Sequence, residues 1–343
     1  IDELTAYKAP AGRCRCLVVA GCWSQIASAE ILARWPAVDL VIGVNDRRRL
    51  VGAVGRVLGR DGCRVTRVST RTGRLPREAT RLRLTPRHWA YLRISEGCSQ
   101  GCSFCTIPRI RGRHRSKPEG QVLAEARALV EDGAHELVLI GQETTSYGRD
   151  LGRGRNLARL LDRLNQVPGL DWIRLMYAYP AHFSTAVMDA IARLDHVVKY
   201  VDMPLQHISD PVLARMNRGV TRSATEALLG KLRDRVPGLV LRTTMMVGFP
   251  GETEAEFREL IEFVKAFPFD ALGAFVFSPE PGTKAARLPG QVDEATKQAR
   301  LDELMRTQQR IAFRRAKAWV GRRFDVYVEG PADRPGWLVA RHS

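Results

Sequence analysis

The sequence predicts an α/β protein in three parts: a small amino-terminal α/β domain, a larger block of six βα units, and the start of a small carboxyl-terminal β domain. Three observations predict it. From Trp89 onward, short apolar runs rich in β-branched residues alternate six times with amphipathic stretches of helical period. Before position 62 the same alternation occurs in miniature. Near the end, after a long helical stretch, the chain changes to alternation of period two.

In the first part, Leu17-Val18-Val19-Ala20 is a short buried strand running into Gly21-Cys22, and a helix over 24–35 is ended by Pro36. A second strand follows over 38–42 and a second helix over 46–58. Residues 61–88 are rich in Arg, Thr, Gly and Pro with weak periodicity, which reads as a linker. Gly52, Gly55, Gly59 and Gly62 form no nucleotide fingerprint, because they lie within and after a helical pattern. The block that follows has strands at 90–95, 136–141, 172–177, 198–203, 239–247 and 270–277. Helices lie near 119–132, 155–166, 184–194, 209–216 with 224–235, and 254–266. Strands separated by helices pair in parallel with right-handed crossovers. A six-unit barrel and an open doubly wound sheet both satisfy this pattern, and both place chemistry at the carboxyl ends of the strands. A helix over 293–318 carries Leu301, Leu304, Met305, Gln308 and Ile311 at near-helical spacing, and 323–329 then alternates as a half-exposed strand. One strand cannot bury its apolar face alone, so a third domain is expected to begin there and be cut short. The expected domains are 1–62, a linker over 63–88, the βα block over 89–290, a connecting helix over 291–320 and the β domain over 321–343.

Of the 343 residues, 45% are hydrophobic and 27% charged, which excludes long disorder. No apolar run approaches the ~20 residues of a membrane span, so no membrane partner is expected. Asp2, Glu3 and Lys8 leave no apolar block for a secretory signal, which makes the cytoplasm the expected location. The chain opens on Ile, as a processed chain or a fragment would. The net charge of +17 suits a polyanionic partner such as nucleic acid or a ribonucleoprotein, and equally suits scattered surface arginines. The arginines gather in short runs, at 47–49 and over 109–115.

Seven cysteines are present: Cys14, Cys16, Cys22, Cys63, Cys98, Cys102 and Cys105. A chain of this size does not need disulfide staples, and clustered thiols in a reducing compartment read as metal ligands or catalytic groups. Cys98-Ser-Gln-Gly-Cys102-Ser-Phe-Cys105 follows the first strand of the βα block, at its carboxyl end. Thiolates select zinc, copper(I) or iron–sulfur clusters. Structural zinc takes four protein ligands, and a cluster with four irons usually takes four cysteines. Here no fourth Cys follows, so three ligands would leave one iron open to a substrate or cofactor. Zinc with a distant fourth ligand is the alternative.

The C-x₃-C-x₂-C spacing, with Phe104 before the last Cys, resembles the signature of radical S-adenosylmethionine (SAM) enzymes. That resemblance implies a partial (β/α)₆ barrel and a [4Fe–4S] cluster whose open iron binds SAM. It also implies one-electron cleavage of SAM to a 5′-deoxyadenosyl radical. Further motifs resemble the methylthiotransferase family of that superfamily, over essentially the whole chain. They are Val19-Ala-Gly-Cys22-Trp-Ser-Gln25, Ile94-Ser-Glu-Gly-Cys98, the segment Ile107-Pro-x-x-Arg-Gly112, Gly248-Phe-Pro-Gly-Glu252 and Phe277-Ser-Pro-Glu-Pro-Gly-Thr283. Gln142-Glu-Thr144, Arg174-Leu-Met-Tyr-Ala-Tyr-Pro180, Pro204-Leu-Gln-His207 and Arg242-Thr-Thr244 resemble the branch acting on a ribosomal protein, whereas Pro281 departs toward the branch acting on tRNA.

The ribosomal branch adds a methylthio group to the β-carbon of an aspartate in small-subunit ribosomal protein twelve. One SAM supplies the methyl group and another the radical; the carbon radical takes sulfur held at a second, auxiliary [4Fe–4S] cluster. Carried onto this chain, the resemblance assigns Cys98, Cys102 and Cys105 to the radical-generating cluster and Cys22 to the auxiliary one. Two further auxiliary ligands are expected well upstream of Cys22. Cys14 and Cys16 are too close in sequence to replace them, so a missing amino terminus is expected, with sulfur insertion failing and SAM cleavage surviving. Gly336–Ser343 resembles an interior piece of the family's TRAM domain. The implied partners are ribosomal protein twelve within the ribosome, contact with rRNA, and an electron donor such as a flavodoxin.

Other residues carry two readings each. Gln142, Glu143 and Thr144 end the second strand and could bind SAM, or form a turn with a helix cap. Gln206 and His207 end the fourth strand; His207 could orient a substrate carboxylate or be a hydrogen-bonded structural His. Arg242 on the fifth strand could fork onto the SAM carboxylate. Gly248 and Gly251 would let backbone approach a ligand, or simply make the turn. Cys63 reads as an inert thiol. Phe324, Tyr327 and Trp337 could stack on RNA bases, or pack a small β core. The same chemistry on a tRNA adenosine, and a zinc-bound RNA- or ribosome-binding module, are the two rival functions.

Overall fold

The computed structural model describes residues 1–8, 12–59, 64–70, 73, 75–78, 82–84 and 86–343; Gly62 and Cys63 lie outside them. The chain forms two compact units. One comprises Ile1–Leu75 with Gly97–Ser99 and Thr106–Arg113, the other Pro76–Glu96 with Gln100–Cys105 and His114–Ser343.

The first unit has a short helix α1 (Asp2–Thr5) and a three-stranded parallel sheet of β1 (Val18–Gly21), β2 (Leu40–Gly43) and β3 (Val65–Arg67), with β2 central and fully buried. Side chains of a strand alternate between faces, and here the alternation separates two apolar clusters. Leu17, Ile31, Trp35, Val38 and Val41 lie in one; Leu40, Ala53 and Val57 lie in the other. The helix expected over 24–35 is two helices, α2 (Cys22–Ile26) and α3 (Ser28–Arg34), broken at Ala27 with φ −129°. The break lets α3 bury Ile31 against Trp35 and Val38. The helix expected over 46–58 begins as a 3₁₀ turn, Val44–Arg49, before α4 (Leu50–Leu58). In that turn the Asp46 carboxylate accepts from Ser69 N–H at 2.5 Å. Within the stretch read as a linker, β3 pairs in parallel with β2. Arg64 just before it donates to the carbonyls of Leu32, Trp35 and Val38, satisfying acceptors left open at the end of α3. Helix α5 (Ile107–Arg111) starts with Pro108 in its first turn and stops at Gly112, φ +76°.

The second unit is built on a six-stranded sheet. Its strands are β4 (Trp89–Arg93), β7 (Glu136–Ile140), β8 (Trp172–Leu175), β9 (Val197–Asp202), β10 (Val240–Val247) and β11 (Ala271–Val276), lying side by side in chain order and all parallel. Between β4 and β7, β5 (Ser95–Glu96) and β6 (Arg115–Ser116) form a short antiparallel ribbon. An unbroken order means that every right-handed crossover advances the same way, so the connecting helices collect on one face. That excludes the doubly wound alternative, which needs a reversal of order. Helices α6 (Glu119–Glu131), α7 (Leu157–Leu164), α8 (Thr185–Arg193), α9 (Asp210–Arg215), α10 (Arg222–Arg235) and α11 (Glu254–Ala266) fill the crossovers. The helix-side core joins Leu92, Leu139, Leu175 and Val201 of the sheet to Leu161, Ile191, Leu229 and Leu260 of the helices. At roughly 1.5–3 kcal/mol per fully buried aliphatic side chain, this layer dominates the unit's cohesion. Residues of the opposite phase, among them Tyr91, Arg174, Tyr200 and Arg242, line the other face. The unpaired edges of β4 and β11 leave the barrel partial.

Helix α12 (Glu294–Lys317) buries Leu304 and Ile311 in the same core, and its Asp293 cap accepts from Thr296 N–H at 2.9 Å. The period-two segment then forms β12 (Val326–Pro331), antiparallel to β13 (Leu338–His342). This hairpin is anchored beside the strand starts: Tyr327 packs among His88, His135 and Trp172, and Arg341 pairs with Glu136 at 3.2 Å. Tyr327 is therefore engaged by the barrel, and the Phe324 ring stacks on Trp319. Trp337 remains exposed, with the Arg334 guanidinium over its ring. No helix among the described residues is long and apolar enough to cross a membrane.

Candidate active site

The cysteine loop leaves the carboxyl end of β4, and its two halves are held separately. In the first unit, Gly97 adopts φ +79°, and a Cβ there would meet the carbonyl oxygens of Arg113 and Gly112 at 2.3 and 2.6 Å. Only glycine fits. Cys98 N–H donates to Gly112 O at 3.2 Å. In the second unit, Cys105 N–H closes a turn on Cys102 O at 3.2 Å, and Ser103 N–H donates to Met216 O at 2.9 Å. Ser103 Oγ donates to Arg215 O at 2.8 Å, and Asn217 Nδ2 donates to Gly101 O at 2.7 Å. Phe104 packs with Met216, Met246, Phe249 and Phe277. The aromatic inside the cysteine motif therefore pins the loop to the ends of later strands.

Residues 97–105 offer three thiols and no carboxylate or imidazole, a donor set that suits an iron–sulfur cluster. None of the three is in a disulfide, and all are partly exposed. Among the described residues, no three Cys, His, Asp or Glu side chains are closed around one point, so the fit is one of donor chemistry.

The residues at the other strand ends divide into two groups. Some are engaged internally. The Glu143 carboxylate is buried and accepts from Ser146 N–H at 2.8 Å and from the Thr145 hydroxyl. Thr144 Oγ1 donates to Met176 O at 2.6 Å. These bonds make the 142–146 turn and tie it to the end of β8, while Gln142 beside them stays partly exposed. His207 is 1% exposed, and Ser209 N–H donates to its Nδ1 at 3.1 Å. That bond fixes the proton on Nε2, which faces Glu252 at 3.8 Å. Burial holds the imidazole down to about 3. Burial likewise pushes the Glu252 carboxyl up to about 7, against the pull of Arg300, which contacts it at 2.9 Å. Gly248, φ +70°, has the stem of Lys297 only 2.3 Å from where a Cβ would sit, so the closest approach here is to α12.

Two others keep polar capacity to spare. Gln206 adopts φ +73°, uncommon outside glycine. Its backbone bridges Thr244 O and Met246 N–H at 2.9 and 2.7 Å. Its Oε1 is buried with no donor among the described residues, an acceptor awaiting a partner. Arg242 pairs with the fully buried Asp202 at 2.6 Å and keeps about a third of its side chain exposed. The inward sheet face opens on a cavity of about 460 Å³ lined by Tyr91, Val138, Arg174, Met176 and Tyr200, with Arg341 of the hairpin. A cavity of about 580 Å³ between β11 and α12, lined by Leu272, Met305 and Gln309, holds none of the candidate residues.

In the first unit, Cys22 is exposed at the carboxyl end of β1, and Arg111 Nη2 lies 3.4 Å from its sulfur. Cys14 and Cys16 instead pack against the two apolar clusters on either side of the sheet, and burial raises the Cys16 thiol.

Sequence reasoning missed Arg218, His182, Asp202 and Arg300. Arg218 Nη1 lies 3.8 Å from Cys102 Sγ. His182 Nδ1 contacts Gln100 Nε2 and Ser146 Oγ at 3.1 and 3.0 Å. None stands in a motif; only the fold brings them to the strand ends.

Residues 92–264 match the family model of the radical SAM superfamily. Among curated proteins, ribosomal protein uS12 methylthiotransferase RimO of Geobacter sulfurreducens is 42% identical over 97% of this chain and 74% of its own length. The protein of the same name from Anaeromyxobacter sp. (strain Fw109-5) is 44% identical over all of this chain and 72% of its own. The solved structure of the radical SAM methyltransferase TsrM from Kitasatospora setae, with cobalamin and a [4Fe–4S] cluster bound, aligns with TM-score 0.59. It is 18% identical over 78% of this chain and 58% of that one, a likeness of fold alone.

Proposed function

The chain belongs to the ribosomal protein uS12 methylthiotransferase family of the radical SAM superfamily, and from that premise we propose that it adds a methylthio group to the β-carbon of an aspartate of ribosomal protein uS12. The observation that carries the reading is the thiol-only loop of Cys98, Cys102 and Cys105 at the carboxyl end of the first barrel strand. These three would hold the [4Fe–4S] cluster. When bound, it would supply the one-electron cleavage of SAM to a 5′-deoxyadenosyl radical.

The remaining work falls to side chains of the chain itself. Gln206 Oε1, buried and unmatched, is suited to accept from the amino group of SAM. Arg242, held by Asp202, turns a fork of donors toward the inward face, where a carboxylate of SAM or of the substrate aspartate can dock. Gln142, partly exposed at the end of the second strand, is a further candidate to contact SAM. Glu143, Thr144 and Gly248 serve these groups by shaping the turns that carry them. The inward face pairs the rings of Tyr91 and Tyr200 and the side chain of Met176 with the guanidinium groups of Arg174 and Arg341, a mixed lining with room for a polar ligand.

Cys22 would be one ligand of an auxiliary cluster that holds the sulfur to be inserted; the apolar packing of Cys14 and Cys16 argues against them as its companions. The chain spans about three quarters of the length of its curated relatives. A low-potential donor of the flavodoxin class would deliver the electron. The excess of basic residues suits a target embedded in rRNA. The cytoplasm, where ribosomes and reduced thiols coexist, is the proposed location. The proposed domains are an amino-terminal one over 1–62, which the sheet carries on through β3, a βα core over 89–290 and a β domain over 321–343, with the connecting helix over 291–320. Mass spectrometry of uS12 and of tRNA from a strain lacking this protein tests the reading. Loss of the methylthio mass from uS12, restored by the strain's own intact gene but not by that gene carrying Cys102→Ala, is expected. Loss from tRNA with uS12 unchanged would overturn it.

A further inference from the structure

The guanidinium of Arg218 occupies an unusual place. The side chain is 5% exposed. It lies over the Tyr179 ring, 4.5 Å from the centroid, while Nη2 donates to Pro204 O at 2.5 Å. The Tyr179 hydroxyl in turn donates to the Arg218 carbonyl. Nη1 points at Cys102 Sγ, 3.8 Å away, and Nε has no acceptor among the described residues. Among the described residues no carboxylate forms an ion pair with Arg218; beyond the Pro204 carbonyl that anchors Nη2, the thiol is the acceptor that Nη1 addresses. The preceding residues clamp the same loop. Met216 O and Arg215 O accept from Ser103, and Asn217, in the left-handed region at φ +55°, donates to Gly101 O. Holding a non-glycine residue at positive φ costs free energy, and here it aims Asn217 and Arg218 at the loop together.

A buried cation needs an anionic counterpart. A free thiol is a weak acceptor, but a metal-bound thiolate is anionic. An iron–sulfur cluster gains one negative charge on reduction, and hydrogen bonds to its sulfurs set its potential. A fixed cation therefore stabilises the reduced state more than the oxidised one. We propose that Arg218 is a positioning residue for the radical-generating cluster, acting through the Cys102 thiolate to raise the cluster's reduction potential and ease its one-electron reduction. This rests on the assignment of Cys102 as a cluster ligand. Each reduction takes one electron from a low-potential one-electron donor and breaks no bond.

The test is a redox titration of the anaerobically reconstituted full chain, with the reduced cluster followed by electron paramagnetic resonance. Arg218→Met removes the charge at similar length; Arg218→Gln removes the charge but keeps a donor. Both are expected to bind iron as the wild type does and to disfavour reduction by about tenfold, a fall of about 59 mV for a one-electron couple. Arg218→Lys, with the charge but without the anchored fork, is expected to fall between. A wild-type potential in either neutral variant overturns the proposal. So does failure of both neutral variants to take up iron while their circular dichroism matches the wild type, because Arg218 would then be needed for assembly rather than potential. If the wild-type chain itself yields no reduced-cluster signal, the assignment of Cys102 falls instead, and the two failures are thereby told apart.

Discussion

Replacing Arg300 with Met should destabilise the barrel in a pH-dependent way. Arg300 rises from α12 and donates through Nη1 to the Glu252 carboxylate at 2.9 Å and to its backbone carbonyl at 3.0 Å. The Glu252 carboxylate is fully buried. Its folded-state pKa of about 7 lies above the ordinary carboxylate value. The proton therefore binds the folded state more tightly than the unfolded one. This contribution to stability is complete below the unfolded pKa and is lost as pH rises through about 7. Near pH 8 the carboxylate is charged and depends on Arg300, and breaking a buried pair from one side costs about 3–5 kcal/mol. Near pH 5.5 the carboxyl is largely neutral and the same substitution loses chiefly two hydrogen bonds, about 1–2 kcal/mol. Urea unfolding of wild type and Arg300→Met at both pH values measures the difference. Glu252→Gln with Arg300→Met should remove the pH dependence. Equal losses at the two pH values would refute the reasoning.

Three further outcomes are expected. Gly97→Ala forces a Cβ into two carbonyl oxygens at a positive φ, so it should cost more than about 2 kcal/mol and abolish iron uptake; normal iron content with an unchanged melting midpoint contradicts this. Thr253→Ala removes the capping box that Thr253 and Glu256 make at the start of α11, for about 1 kcal/mol, read as a lower denaturation midpoint at unchanged slope. Tyr327→Ala strips the ring from among His88, His135 and Trp172 and should speed amide exchange over 338–342 well beyond Tyr327→Phe, which loses only the bond to Asp171; equal exchange rates in the two variants would show that the ring does not anchor the hairpin.

The barrel was legible because its signal repeats. Six apolar runs separated by amphipathic helices leave few arrangements, and the structure chose between barrel and doubly wound sheet through strand order, which periodicity does not encode. The first unit was harder. At Ala27 a helix breaks without Gly or Pro, and β3 is three residues long, too short to display a period. The cysteine loop stood out because thiols at that spacing have few other uses. Arg218 and Arg300 did not, because an arginine's meaning lies in its partner, and theirs are 116 and 48 residues away in sequence. Glu143 shows the converse: a carboxylate at a strand end invites a ligand, yet its neighbours two and three residues on already occupy it.

The missing seam between β4 and β11 has a mechanical consequence. A sealed barrel has its girth dictated by how many strands it contains and how far they are staggered. An unsealed one can flatten or tighten by small changes of twist at each ladder while every existing backbone bond stays intact. Such a scaffold can widen to admit a side chain carried on a bulky, immobile particle and then narrow around it, with no hinge required.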